Sequence, residues 1–235
     1  MWEENELKTS WELPNAKLLA LLATYIVLLC LTVCFANNIT SMMGMTLPGG
    51  IYVFPVSFII CDIVSEVYGF PIARLFIWFG MISELIFAFL SQALIAIPHP
   101  DTFIHAQAYH TVFSPTVRYV FSGMVGFFSG EFLNVYILSK WKIRVKGRYF
   151  VIRSVMTTAI GQAVLSIVVD YLAFAGKMPT SELISMMYAG WKVKMIYSLF
   201  FVLPAWYIVS YIKKTDKIDV YDVNTNFNPF RFKLS

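Results

Sequence analysis

The segment Phe54-Pro55-Val56-Ser57-Phe58-Ile59-Ile60-Cys61-Asp62-Ile63-Val64-Ser65-Glu66-Val67-Tyr68-Gly69-Phe70-Pro71-Ile72-Ala73-Arg74 is apolar enough to lie in lipid, yet it carries two acids. Asp62 and Glu66 stand four apart, so on a helix they lie one turn above each other on one face. A charge at the centre of a lone membrane helix costs about 2.5–3.5 kcal/mol on insertion scales, so two on one face require protein or a polar cavity opposite them. That cavity is where function is expected.

The whole 235-residue chain shares this character, with 58% hydrophobic and 14% charged residues and a mean hydropathy of +0.68. Such a balance belongs to an integral membrane protein and excludes a soluble globular domain. Nearly the whole length is needed for spans, which leaves no separate soluble module. Cys30, Cys34 and Cys61 all fall in apolar runs and read as packing residues. Glu3, Glu4, Glu6 and Glu12 stand where a secretory signal would be basic, so the apolar run Leu18 to Ala36 is expected to stay as the first span.

Six hydrophobic blocks can be marked, at about 17–36, 51–69, 72–97, 115–139, 152–175 and 190–212. Gly69-Phe70-Pro71 separates the second from the third, because proline lacks the amide proton and biases Phe70 away from helix. Pro98-His99-Pro100 ends the third, and Pro115 suits the first turn of the fourth. Ser122, Gly126 and Gly130 make a small-residue stripe that admits a close neighbouring helix. The predicted fold class is all-α, a polytopic membrane protein of six transmembrane helices. It divides into an N-terminal segment 1–16, a six-helix transmembrane domain 17–212 and a polar tail 213–235 without periodicity, which is expected to be largely unstructured.

Lysine and arginine settle the expected orientation. Fourteen lie in the N-terminal segment, at Arg74, in the run 140–153 and in the tail, whereas the connections 37–50, 98–114 and 176–189 hold Lys177 alone. By the positive-inside rule both termini are cytoplasmic. The basic run 140–153 is then a cytoplasmic flank, and nucleic acid is not expected as a partner.

Eight charges remain inside spans or at their ends: Arg118, Lys192, Lys194, Asp62, Glu66, Glu84, Glu131 and Asp170. Arg118, Lys192, Lys194 and Asp170 fall toward the outer half, where they can neutralise one another. Glu66 falls near the inner face with Asp62 one turn deeper, Glu131 lies about two turns above the inner end of span four, and Arg74 is the nearest cation for Glu66. Structural pairing and a pathway role stand open together for Arg74 and Lys192, while for Asp62 and Asp170 the pathway or ligand role is preferred. Glu84 reads either as lipid-facing near the interface or as part of the inner cluster. His99, Asp101, His105 and His110 have no compact metal-ligand spacing, so no metal and no cofactor is expected. Asn38-Ile39-Thr40 matches a glycosylation acceptor that adjoins the membrane. No nucleotide-binding loop, paired-cysteine site or Gly-x-Ser-x-Gly turn occurs, and Asp62 and Asp170 fall on different levels, which disfavours an intramembrane aspartyl protease. An enzyme is not expected.

Over about residues 50–212 the chain resembles the queuosine precursor transporters, six-span inner-membrane proteins that take up 7-deazaguanine bases. The resemblance is carried by Phe54-Pro55 followed by Asp62, Glu66, Tyr68-Gly69 and Ala73-Arg74, with support from Arg118, Ser122, Ser154, Gly161-Gln162, Asp170, Lys194 and Pro204. One departure stands out: where the family typically has Gly-Gln-x-x-x-Asp or a close variant, this chain reads Gly130-Glu131-Phe132-Leu133-Asn134, with an acid in place of the amide and an amide in place of the acid.

The resemblance implies import of a queuosine precursor, a 7-deazaguanine base such as preQ0, preQ1 or queuine, across the cell inner membrane. A flat deazapurine needs aromatic walls and a few fixed polar groups, and a carboxylate accepts two N–H bonds from a guanine-like edge. The candidate substrate residues are Asp62, Glu66, Tyr68, Glu131, Asn134, Gln162 and Asp170, with Tyr68 or Phe58 for stacking. Arg74, Arg118 and Lys194 are candidate structural or gating charges. The alternative reading is the substrate-capture subunit of an energy-coupling-factor vitamin importer, which needs ATPase partners; no small-residue docking face for them is evident on an early helix. The expected partners are therefore the small molecule and the lipid bilayer, with a homo-oligomer compatible with the sequence.

Overall fold

The computed structural model describes residues 16–42 and 45–231, so the N-terminal segment expected in the cytoplasm lies outside the described residues up to position 15. Six helical spans cross the molecule. Helix α1 (Ala16–Cys34) is followed by a hairpin of β1 (Ile39–Met42) and β2 (Met45–Pro48), a 3-10 turn Gly49–Tyr52, α2 (Phe54–Tyr68) and α3 (Phe70–Ile95). Next come α4 (Ala106–Phe113), α5 (Thr116–Gly126), a π-helical turn Phe127–Glu131, α6 (Phe132–Arg144), α7 (Phe150–Phe174) and α8 (Thr180–Asp216).

Helix α2 is the axis of the bundle. Every residue from Phe54 to Tyr68 except Val56 is buried, and α2 packs against α1, α3, α6 and α8. Apart from the stripe that carries its two acids, α2 has no polar face to give to water, and with those acids met by other helices it takes the centre. Helix α1 instead buries Tyr25, Leu29 and Val33, spaced every four residues, and leaves its remaining faces outward. The expected break occurs at Gly69, whose φ of 84° is open to glycine and costly for other residues.

Three connections hold more structure than the sequence suggests. The segment 37–50 contains the antiparallel hairpin, in which Ile39 faces Pro48 and Thr40 faces Leu47. The segment 98–114 contains α4. The connection 176–189 is mostly the start of α8, which at 37 residues is about 55 Å long and overshoots a hydrocarbon core of about 30 Å. The small-residue stripe performs as expected: a Cβ on Gly130 would come within 2.6 Å of both the Gly161 carbonyl oxygen and the Leu165 Cβ. Helix α7 therefore lies against the π-helical turn almost backbone to backbone.

Residues 213–216, expected in the tail, continue α8; from 217 to 231 the described chain has no repeating structure but packs across one end of the bundle. Buried Asp222 accepts the Phe70 amide proton through both carboxylate oxygens (3.2 and 3.0 Å). It thereby caps α3, whose own N-cap position, Gly69, has no side chain. The Val220 amide bonds the Val67 carbonyl (3.1 Å), and the Trp78 indole donates to the Pro229 carbonyl (2.8 Å). Phe227 packs against Phe70 with the rings tilted at 54° and their centres 4.8 Å apart.

Two substitutions test this architecture. Gly130→Val lowers the thermal midpoint of the detergent-purified protein, by about 1–3 kcal/mol of overpacking, whereas Gly123→Ala, whose nearest neighbour would be 4.0 Å away, leaves it within error. Asp222→Ala removes the cap, costs about 1–2 kcal/mol, and speeds proteolysis within residues 217–231.

Candidate functional site

Between the hairpin end and the middle of the bundle lies a cavity of about 130 Å³. Its walls include Phe54 from α2, Phe127 from the π-helical turn, Tyr119 from α5 and Phe174 from α7, and its charged lining residues are Glu84, Asp170 and Lys194. Phe54 and Phe127 meet edge to face at 5.7 Å. The Lys194 ammonium stands 5.4 Å from the Phe54 ring centre and donates to Ser166 Oγ (2.7 Å). The cavity is thus aromatic with charges of both signs at its edge.

One helical turn further toward the tail end, the chain places polar groups without partners. Glu131 follows Phe127 on the π-helical turn, and Gln162 lies on α7 beside Gly161, where the two backbones touch. Both side chains are fully buried. Neither atom of the Gln162 amide has a hydrogen-bond partner among the described residues, and the Glu131 carboxylate has only the weakly donating Cys61 thiol against it. Leaving a buried polar group unpaired costs about 1–3 kcal/mol, so such a pair marks a place arranged to receive something polar. A π-helical turn at this point fits the common use of that distortion at functional sites.

Below this layer Asp62 is saturated. Its Oδ1 accepts from Asn134 Nδ2 (2.8 Å), and its Oδ2 accepts from Ser154 Oγ and from Thr158 Oγ1 (3.2 Å). Asn134 Oδ1 remains unpartnered. Glu66, one turn beyond, is held by cations: Oε2 accepts from Arg153 Nη1 (3.0 Å) and Oε1 from Lys213 Nζ (2.7 Å). The buried Lys142 ammonium donates to the Glu66 and Val220 carbonyls (both 2.6 Å) and to Asp219 Oδ1 (2.7 Å). Asp219 also pairs with Lys213 at 2.9 Å. Partial burial works against its charge, but the two ammonium groups win and hold its carboxyl below the ordinary range.

Several expectations change in this geometry. Arg74 does not pair with Glu66; its Nη1 donates to the carbonyls of Asn226 (3.3 Å) and Asn228 (2.9 Å). Lys142 and Arg153, read as part of a solvated basic flank, are buried and supply the Glu66 network. Glu84 neither faces lipid nor joins the inner cluster, because it is buried and lines the cavity. No ion pair joins the outer charges among the described residues: Arg118 donates to the Leu172 carbonyl (3.1 Å), Lys192 lies over the Tyr188 ring, and Lys194 shares the cavity lining with Asp170. Phe58 is packed behind Phe54 at 5.5 Å, and Tyr68 lies near the tail end with its hydroxyl unpartnered, so neither lines the cavity. The aromatic walls that do, Phe127, Tyr119 and Phe174, are ordinary apolar residues in the sequence.

A sequence model of the family described as "Putative vitamin uptake transporter" matches residues 48–209. A curated relative, the "Probable queuosine precursor transporter" of Bacillus subtilis (strain 168), is 24% identical over 159 residues, covering 67% of this chain and 69% of that protein. No solved structure matches the chain.

The Glu66 network makes a stability prediction. Arg153→Met strands a buried carboxylate and costs about 3 kcal/mol, the lower end of the usual range because Lys213 still serves one oxygen. Glu66→Gln combined with Arg153→Met recovers part of that loss, as thermal midpoints of the purified variants will show; equal losses in the single and double variants would exclude direct coupling.

Proposed function

The chain belongs to the vitamin uptake transporter family, and from that membership we propose that it imports a 7-deazaguanine precursor of queuosine through the bacterial inner membrane. Multi-pass architecture and membership of a transporter family support transport directly. The observation that carries the substrate class is the unpartnered pair Glu131 and Gln162, buried one turn beneath an aromatic cavity. The cavity is smaller than the about 300–1,000 Å³ of drug-sized pockets, so it favours a single flat base over a nucleoside or nucleotide. Phe54, Phe127 and Tyr119 offer faces for stacking. The Gln162 amide offers one donor group and one acceptor, Asn134 Oδ1 offers an acceptor, and Glu131 adds an acid, which together suit a lactam and an exocyclic amine.

Within this reading the expected substrate residues divide by role. Glu131, Gln162 and Asn134 read the base. Asp62 orients Asn134, whose amide can turn its oxygen toward substrate only because Asp62 accepts from its nitrogen. Asp170 and Lys194 receive the base at the cavity edge. Glu66, with both oxygens held by cations, and Arg74, which clamps the tail, are structural, and Tyr68 accompanies them at that end. The basic tail end faces the cytoplasm, in line with the positive-inside rule, and the hairpin end faces outward.

The test is the queuosine content of tRNA in a bacterium that can neither make nor import the precursors, complemented with this gene and fed the nitrile base, the aminomethyl base or queuine. Wild type restores queuosine with at least one base. Gln162→Leu, at equal membrane expression, lowers the rate about 10- to 100-fold, the equivalent of losing one two-point contact of about 1–3 kcal/mol. Absence of restoration with all three bases overturns the substrate assignment. Uptake by the purified chain alone in liposomes separates a self-sufficient carrier from a capture subunit.

A further inference from the structure

Asp62 and Glu131 are both fully buried, and they lie near enough to repel each other. Their environments differ in kind. Asp62 receives three hydrogen bonds, from Asn134, Ser154 and Thr158, and such donors favour the ionised form. Glu131 has no hydroxyl, amide or cationic donor among the described residues and only the weakly donating Cys61 thiol against it, and a buried carboxylate so poorly compensated costs several kcal/mol. The titratable groups close to Glu131 are Tyr25 from α1 and Cys61 and Asp62 from α2, with Glu84 of α3 acting on the same Tyr25 hydroxyl. Across the Gly130–Gly161 contact, α7 carries the neutral Gln162. No cation is among them: Lys194 of α8 stands over Phe54 and bonds Ser166, and Arg153 and Lys213 serve Glu66.

We propose that Asp62 and Glu131 together hold one proton, carried on Glu131, and that this proton crosses the membrane with the substrate. The inference rests on the transport reading above for its second half only. A neutral carboxylic acid presents one O–H donor and one carbonyl acceptor side by side. That edge matches a lactam, whose carbonyl accepts and whose ring N–H donates, and the Gln162 amide repeats the same pattern beside it. Ionised Glu131 would offer acceptors alone, leave the lactam carbonyl without a donor and face the Asp62 charge. The form that binds substrate is therefore the protonated form, so proton and substrate load together. When the substrate leaves toward water, hydration reaches Glu131 and the proton leaves with it.

The experiment has two readouts on the purified full chain. In infrared difference spectra without substrate, the carbonyl stretch of a neutral carboxylic acid is present in the wild type and diminished in Glu131→Gln; an unchanged band overturns the assignment of the proton. In liposomes with the potential clamped, the wild type first exchanges labelled deazaguanine base at equal pH. With acid outside it then accumulates the base about tenfold per pH unit, and a trapped dye reports one proton entering per base. Exchange without pH-driven accumulation or proton entry overturns co-transport and leaves the transport reading intact. Absence of exchange overturns the transport reading, while the infrared band still judges the proton site. The wild-type proton flux decides co-transport even if Glu131→Gln does not fold.

Discussion

The structure depends on the compensation of one buried charge, that of Glu66. It ends the central helix α2 with its carboxylate cut off from water, and it is tolerated because Arg153 of α7 and Lys213 of α8 each bond one of its oxygens. Lys142 of α6 bonds the Glu66 carbonyl and reaches Asp219 and Val220 in the tail. Four helices and the tail are joined at this one point. A buried carboxylate stripped of partners costs several kcal/mol, so the network penalises any arrangement in which these elements separate. That explains why a segment without repeating structure is nonetheless held in place: its backbone and its two aspartates complete bonds that the helix ends need.

With one end of the bundle tied by charge, the other end can carry the less satisfied site. The aromatic cavity is bounded by helices that approach closely where glycine allows it, and the contact of Gly130 with Gly161 sets Glu131 and Gln162 at the same crossing. The π-helical turn ends at Glu131, which is buried in the interior. Polar groups short of partners in a membrane interior are costly, and Glu131, Gln162 and Asn134 are three of them, between the cavity and the saturated Asp62. A carrier has reason to keep such a layer, since partners already in place would compete with the substrate for the same bonds.

Asp62 and Glu66 illustrate how environment separates two acids of one helix face. Four residues apart, they share the same stripe, but Asp62 is met by hydroxyls and an amide whereas Glu66 is met by guanidinium and ammonium groups. The first set orients neighbouring side chains, and the second locks helices. Glu131, of the same chemistry again, meets neither. Three buried acids thus sit in three distinct environments.

The sequence by itself determined the features that arise from local chemistry along the chain. Run lengths and mean hydropathy determined six spans, Gly69-Phe70-Pro71 determined the break after α2, and the Ser122, Gly126 and Gly130 stripe determined a close helix contact, because each depends on backbone geometry or solvation within a few residues. The candidate site was partly legible: Asp62, Glu131, Asn134, Gln162, Asp170 and Lys194 stand out as polar groups in apolar runs. Their partners were not. Whether Glu66 is met by Arg74 or by Arg153, 87 residues away, depends on how whole helices stack, and no spacing along the chain encodes that distance. The capping of α3 by Asp222, 152 residues on, and the cavity walls of Phe54, Phe127, Tyr119 and Phe174 were decided in the same way. Apolar side chains look alike in sequence, and only tertiary packing determines which of them face lipid, which fill the core and which bound a cavity.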